Sequence, residues 1–386
     1  MAYYLSEVLD DQAGVRALDK SNMRSVLERF PELCEDAIQL GRSVSIPRRV
    51  KVNNALTITY IPPERIIVVG MGGSAIGGDL LRDWLRDRSQ SPIEVSREYH
   101  LPKYAGQGTL VMAVSYSGNT EETLSSYIEA VENGCMTFSV SSGGLLEEFS
   151  HSLGLPHTRI PQGYAPRSAV PYLLFPMAAA LARLNTINSY EDEALKAIAT
   201  LRSIREEIHS ESKTEINASK RLAVDMRGLI PMVCGYGCFE SVATRIKTQF
   251  NENSKIPAKA EFFPELNHNE TLGWSGSTQL TKNFGVILIR SDEEPAEIRT
   301  RIEITRKLVF DERAGRVLEI RAKGTGKLEQ MLAAMYVGDF ASFYLGILYG
   351  IDPAPTPIID ELKTQLEARL SKATELRKRV ERLTTA

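Results

Sequence analysis

An α/β protein of two tandem units, each a parallel sheet flanked by helices, with further helices at both ends of the chain, is what the sequence predicts. Three observations predict it. From residue 50 onward, apolar runs of strand length alternate with stretches of helical period, the pattern of strand–helix–strand units and a parallel sheet. A glycine turn follows an apolar run twice, in VVGMGGSA (68–75) and in VCGYGC (233–238). The two halves therefore share a plan, in pattern and not in letters. At 386 residues the chain has room for two domains, on a prior of about 150 residues each.

Taken in order, residues 1–49 form an N-terminal helical segment, with helices over 18–44 interrupted by Pro31, and the connector SIPRRVKVNN follows. The first unit covers 50–190. Its expected strands are RIIVVG, PIEVSREY, TLVMAVSYS and MTFSVSS, with helices over 74–86 and 120–133 and the apolar helix PYLLFPMAAALARLN at its end. Residues 191–215 are charged and read as a solvated helical linker. The second unit, 216–352, has strands in LIPMVCGYG, NFGVILIRSD and GRVLEIRAKG and a helix in FESVATRIKTQFNE. In QMLAAMYVGDFASFYLGILYG, Met331, Met335, Tyr336, Phe340 and Phe343 recur at helical spacing and are expected in the core or at a dimer surface. Residues 353–386 read as a terminal amphipathic helix with Ile359, Leu362, Leu366 and Leu370 on one stripe.

Composition narrows the function. With 43% hydrophobic and 25% charged residues and a net charge of -3, the chain lacks the basic excess of a nucleic-acid binder. Cys34, Cys135, Cys234 and Cys238 are scattered. The Cys234/Cys238 pair lacks the second pair that a zinc site needs, so free thiols and no metal are expected. MAYYLSEVLDD has no basic or apolar leader pattern, and no segment reads as the ~18 apolar residues of a membrane span. The expected location is the cytoplasm.

Two turns carry the chemistry. Read literally, Gly70, Gly72 and Ala75 match the dinucleotide fingerprint G-x-G-x-x-A behind an apolar strand. That fold also needs an acidic residue about twenty positions on, for which Glu94 and Glu98 are the candidates. The second turn, VSYSGNTEETL, sets Ser115, Ser117 and Thr120 around a glycine at a helix start, where unpaired N–H groups and the positive dipole end favour an anion. An alternative is that Asn119 and Glu122 form a capping box and the serines satisfy turn backbone. A small sugar phosphate suits both turns together: Gly72, Gly73 and Ser74 bring backbone close to one end while the 115–120 loop grips the phosphate. In QFNENSK, Glu252 nears the end of a helix, where the dipole raises a carboxyl pKa toward that of a general base, although a solvated cap glutamate fits too. In FPELNHNE, His268 stands among Glu265, Asn267, Asn269 and Glu270, which offer orienting partners but a poor metal set. His100, His151, His157 and His209 have no cluster around them.

The stretches GMGGSAIGGD, SYSGNTEET, YAPRSAVPYL, QFNENSKIPA, FPELNHNE and DPAPTPIIDELK together resemble the sugar isomerase (SIS) domain. From roughly residue 25 to the end, the chain is similar to the bifunctional phosphoglucose/phosphomannose isomerases. The resemblance implies two tandem SIS-type domains, a homodimer, no cofactor, and a sugar-phosphate substrate. It implies that Glu252 carries a proton between the two carbons of an enediol, and that His268, donated across the dimer interface, opens the ring with help from Lys363. Arg167 would stabilise the enediolate. Thr356 would leave room for both epimers, and Ser115, Ser117 and Thr120 would hold the phosphate. Three rivals stand beside it: an aminotransferring relative such as the isomerase half of glucosamine-6-phosphate synthase, a non-catalytic sugar-phosphate sensor built on SIS domains, and a nicotinamide-dependent dehydrogenase.

Overall fold

The computed structural model describes residues 2–370 and 372–385. The chain divides into two compact units, Met1–Pro31 with Glu193–Pro355, and Glu32–Asp192 with Thr356–Ala386.

In the second of these, a small antiparallel ribbon, β1 (Arg49–Lys51) and β2 (Thr57–Thr59), precedes a five-stranded parallel sheet. Its strands are β3 (Arg65–Val69), β4 (Ile93–Ser96), β5 (Thr109–Val114), β6 (Met136–Ser141) and β7 (His157–Arg159), in the order β4-β3-β5-β6-β7. Every residue of β5 and β6 is buried. Helices cover both faces, so β5 reads as an apolar run after Thr109, while β6 (MTFSVS) alternates apolar and hydroxyl side chains although all of them are buried. The end of the chain forms two helices, Pro357–Leu370 and Lys372–Thr385. The last one docks on this sheet unit through buried Leu376 and Val380 and a forked pair from Arg379 to Glu132 at 3.0 and 2.6 Å. Burying two such apolar side chains contributes roughly 1.5–3 kcal/mol each. The stripe on the Pro357–Leu370 helix behaves differently. Ile359, Leu362, Leu366 and Leu370 are between 40% and 57% exposed.

The other unit carries a four-stranded parallel sheet of β8 (Ile230–Tyr236), β9 (Lys259–Phe263), β10 (Phe284–Arg290) and β11 (Arg316–Arg321), ordered β11-β10-β8-β9. Numbered within its own unit, each sheet has its first strand between the second and the third, with the fourth beyond: 2-1-3-4-5 in one and 2-1-3-4 in the other. The helix Lys327–Leu348 forms the hub of this unit and packs on the helices Ala218–Met226 and Phe239–Asn253. Met331, Met335, Tyr336, Phe340 and Phe343 all lie in the core. By length and composition this helix could cross a membrane, which corrects the expectation that no segment is apolar enough, but it is buried inside the protein. The apolar content serves helix–helix and helix–sheet packing from every side. Near the N-terminus, Phe30 stacks on Tyr336 with ring centroids 5.4 Å apart, and the fully buried ammonium of Lys220 reaches Asp10 at 2.9 Å.

Candidate active site

In an open parallel sheet the ligand crevice lies at the carboxyl ends of the strands where the order reverses, between the first and third strands. In the five-stranded sheet those strands are β3 and β5, which pair directly. The turns that leave them are the 70–74 and 115–120 stretches. Each runs into a helix, Gly73–Leu85 or Glu121–Glu132, whose N-cap residue, Gly72 or Thr120, makes no side-chain cap bond. Two helix N-termini thus leave the same crevice, an arrangement whose dipoles attract an anion. In the Gly73–Leu85 helix the Ser74 and Ala75 N–H groups donate to the Met71 carbonyl at 3.0 and 3.4 Å, and in the Glu121–Glu132 helix no cap side chain closes the first turn.

The loops are tied to each other. Ser74, 5% exposed, accepts a hydrogen bond on its hydroxyl from the Tyr116 N–H at 3.1 Å. Ser115 and Thr120 share a hydroxyl bond of 2.8 Å, and the Gly118 N–H donates to Ser115 Oγ at 3.1 Å. Ser117 is exposed and accepts from the Asn119 N–H at 3.2 Å. The alternative of an Asn119/Glu122 capping box gives way to another bond: Thr120 is the N-cap, and Asn119 Oδ1 accepts from Leu145 N–H at 3.0 Å, on the helix after β6. Gly118 sits at φ +72°, and a Cβ there would lie 1.8 Å from the Gly143 carbonyl oxygen. No other residue fits.

Arg167 joins the same crevice. It belongs to the single turn Pro166–Ser168, and a Cβ on Gly73 would stand 2.9 Å from the Pro166 carbonyl carbon and 3.0 Å from the Arg167 nitrogen. The arginine is 3% exposed, far from the ordinary solvated surface arginine. Thr356 is half-buried and its carbonyl accepts from Ile359 and Asp360, so it starts the helix whose first residue is Pro357. Lys363 is exposed on that helix.

Glu252 and His268 belong to the unit of the four-stranded sheet. Glu252 is half-buried in the last turn of the Phe239–Asn253 helix. His268 is exposed and closes the short turn Glu265–Asn267 by donating its N–H to the Glu265 carbonyl at 2.9 Å. Its four polar neighbours bond elsewhere. Asn267 donates to Thr305 at 2.7 Å, Asn269 to Glu265 at 2.9 Å, and Glu270 receives Lys259 at 2.5 Å and the Trp274 ring at 3.2 Å. They shape the loop that presents the imidazole.

Residues 215–366 match the profile of the bacterial phospho-glucose isomerase C-terminal SIS domain. A bifunctional phosphoglucose/phosphomannose isomerase of Caldicellulosiruptor bescii is 36% identical over 338 residues, which cover 87% of this chain and 96% of the relative. The chain belongs to the bifunctional phosphoglucose/phosphomannose isomerase family. A second relative with that description, from Aquifex aeolicus, is 33% identical across 79% of this chain and 91% of its own length. The fold also recurs in the solved C-terminal domain of glucosamine-fructose-6-phosphate aminotransferase from Francisella tularensis, with a TM-score of 0.63, 17% identity, and coverage of 86% of this chain and 97% of that one.

Sequence reasoning missed several residues that shape the crevice of this phosphoglucose/phosphomannose isomerase family chain. Tyr116 fixes the loop by donating to the Pro161 carbonyl at 3.2 Å and accepting from the Tyr164 N–H at 2.8 Å. Gly143 presses its carbonyl on Gly118, and the paired glycines of SSGG directly after β6 were the available signal. The equivalent crevice of the four-stranded sheet, between β8 and β10, is built otherwise. At the end of β10, Arg290 grips the buried carboxylate of Glu294 with Nε at 3.0 Å and Nη2 at 2.5 Å, and Ser291 donates to Gln330 at 3.0 Å. The chain's own carboxylate meets the cation there.

Proposed function

We propose that the chain interconverts glucose 6-phosphate and mannose 6-phosphate with fructose 6-phosphate. Membership of the bifunctional isomerase family supports the substrate pair. The observation that carries the reading is the crevice at the β3/β5 reversal, where two helix N-termini, a hydroxyl-bearing loop and a buried arginine converge.

In this reading the helix N–H groups and the hydroxyls of Ser117 and Thr120 hold the phosphate, while Ser115 braces the loop from within through its bonds to Thr120 and Gly118. Gly72, Gly73 and Ser74 line the opposite turn. His268, with Lys363, moves the proton that opens the sugar ring. Glu252 takes the proton from the second carbon and returns it to the first. The electron pair passes through a cis-enediolate, and Arg167 supplies a fixed cation beside the developing oxyanion. Rotation between the second and third carbons before deprotonation, with Thr356 leaving space, admits both epimers. Every proton moved comes from the substrate or these side chains, so the reaction balances without a metal or cofactor.

The working form in this reading is a cytoplasmic homodimer in which His268 comes from the second subunit. Two features support a second copy. One is the exposed stripe of Ile359, Leu362, Leu366 and Leu370. The other is an open, largely apolar groove of about 760 Å³ beside the His268 loop, lined by Asn267, Thr271, Ile304 and Leu308 among others. The test of the chemistry is Glu252→Gln. It keeps size and hydrogen bonding and loses the base, so kcat for both sugar phosphates should fall by roughly a hundredfold or more. Full activity in that variant removes Glu252 from the mechanism.

A further inference from the structure

The helix that bears Glu252 ends in an unusual way. Its C-cap is Ser254, and the next residue, Lys255, sits at φ 56°. A left-handed residue after a helix is ordinarily glycine, because a Cβ strains that conformation. Here the Ile256 N–H turns back to the Phe250 carbonyl at 3.4 Å, and Asn251 Nδ2 donates to the Ile256 carbonyl at 2.8 Å. A lysine in glycine's place adds an ammonium. Its Nζ donates to the carbonyl of Glu252 and, at 3.0 Å, to the carbonyl of Pro353.

On the buried side the same helix end is clamped. Asn253 Nδ2 donates to Ser342 Oγ at 2.9 Å, and Ser254 Oγ to the Ser342 carbonyl at 2.6 Å; all three residues are fully buried. The final carbonyls of a helix have no partner within it, and its last turn frays unless something else bonds them. Lys255 bonds one of those carbonyls, that of Glu252 itself, with a cation at the negative end of the dipole. Glu252 therefore lies between a residue pinned to the Lys327–Leu348 helix and a cation pinned to the turn before Thr356.

We propose that Lys255 is a positioning residue for the Glu252 carboxylate. The ammonium holds the last helical turn against Pro353 and so sets where the carboxylate stands when it meets the substrate carbon. The inference rests on the reading of Glu252 as the proton-transfer base. A base must come within hydrogen-bond reach of its proton, and misplacement by 1 Å costs on the order of a hundredfold.

The experiment compares full-length Lys255→Gly, Lys255→Asn and Lys255→Arg, with Glu252→Gln alongside. It reads kcat, KM, the isotope effect on glucose 6-phosphate deuterated at the second carbon, and the urea midpoint. Glycine and asparagine both tolerate the left-handed backbone, so the fold should survive, with the midpoint unchanged or raised. In both variants kcat should drop about ten- to hundredfold while KM stays within about twofold, and the isotope effect should grow. Arginine, which keeps a cation, should recover part of the rate. A purely structural staple would lower the midpoint and leave kcat per folded molecule intact, and that result overturns the inference. If Glu252→Gln is inactive while Lys255→Gly and Lys255→Asn turn over like the parent, the positioning role alone fails. An active Glu252→Gln removes the base and this inference with it.

Discussion

Replacing Gly73 by alanine puts a carbon where the backbone of Pro166 and Arg167 already runs. The new Cβ would stand 2.9 Å from one carbonyl carbon and 3.0 Å from one amide nitrogen. That is roughly 0.6 Å inside the distance of about 3.5 Å at which two carbons rest. Both obstacles are main-chain atoms, so no rotamer change relieves the overlap and the Pro166–Ser168 turn must move by about that amount, taking Arg167 with it. If a 1 Å misplacement costs about a hundredfold, ~0.6 Å costs on the order of tenfold in kcat/KM, or about 1.4 kcal/mol of transition-state stabilisation. The fold pays a separate overpacking cost of ~1–3 kcal/mol, which alanine's better helix propensity offsets by up to ~1 kcal/mol. A coupled assay that reduces NADP as fructose 6-phosphate becomes glucose 6-phosphate reads the first effect, and urea unfolding reads the second. Parental kcat/KM together with an unchanged midpoint would mean that Gly73 does not hold Arg167, and the argument from close approach would be wrong.

Three further outcomes are expected. Arg245 and Asp339 form a buried pair, Nη2 to Oδ2 at 2.9 Å, with both side chains 2% exposed; Arg245→Met should lower stability by about 3–5 kcal/mol by stranding the carboxylate, and adding Asp339→Leu should restore much of it. Burial, reinforced by the His151 and Arg159 charges, lowers the His157 imidazole from 6.5 to about 4. The unfolded chain therefore binds the proton more readily, so urea midpoints should hold above about pH 6.5 and decline as pH falls toward 4, a slope that His157→Gln should flatten. Leu362→Glu with Leu366→Glu charges the exposed stripe of the Pro357–Leu370 helix; light scattering should report monomer while secondary structure is retained, since exposed substitutions usually stay within about 0.5 kcal/mol.

Much of the sheet unit that carries the crevice could be read from the chain, for a physical reason. β3 and β5 lie under helices on both faces, so burial writes them as apolar runs after their first residue, whereas β6, equally buried, shows the period-two alternation of MTFSVS. Gly73 and Gly118 are forced by backbone approach and left-handed φ, which is why the turns stand out in the letters. β9 was not legible, because four of its five residues are half-buried and KAEFF shows no period. β7, a strand of three residues, carries too few letters to show a pattern. The grouping of the chain ends could not be read either: Leu376, Val380 and Arg379 dock by tertiary contacts that no local pattern encodes. Nor does any letter say that Arg167 is buried, since nothing in YAPRSAV separates it from a solvated arginine. Apolar spacing on the Pro357–Leu370 helix predicted a stripe correctly but not its exposure, because periodicity reports which face is apolar and says nothing of what covers it.

The Arg290–Glu294 grip has a consequence for counting. The shared strand order offers two like crevices at two strand reversals, yet in one of them an acid of the polypeptide already neutralises the guanidinium, so a phosphate ester arriving there would have to displace a tethered competitor. Titration calorimetry should therefore saturate at a single hexose phosphate per polypeptide. Shortening that tethered acid, as in Glu294→Ala, is the direct way to ask whether that second crevice can bind an anion.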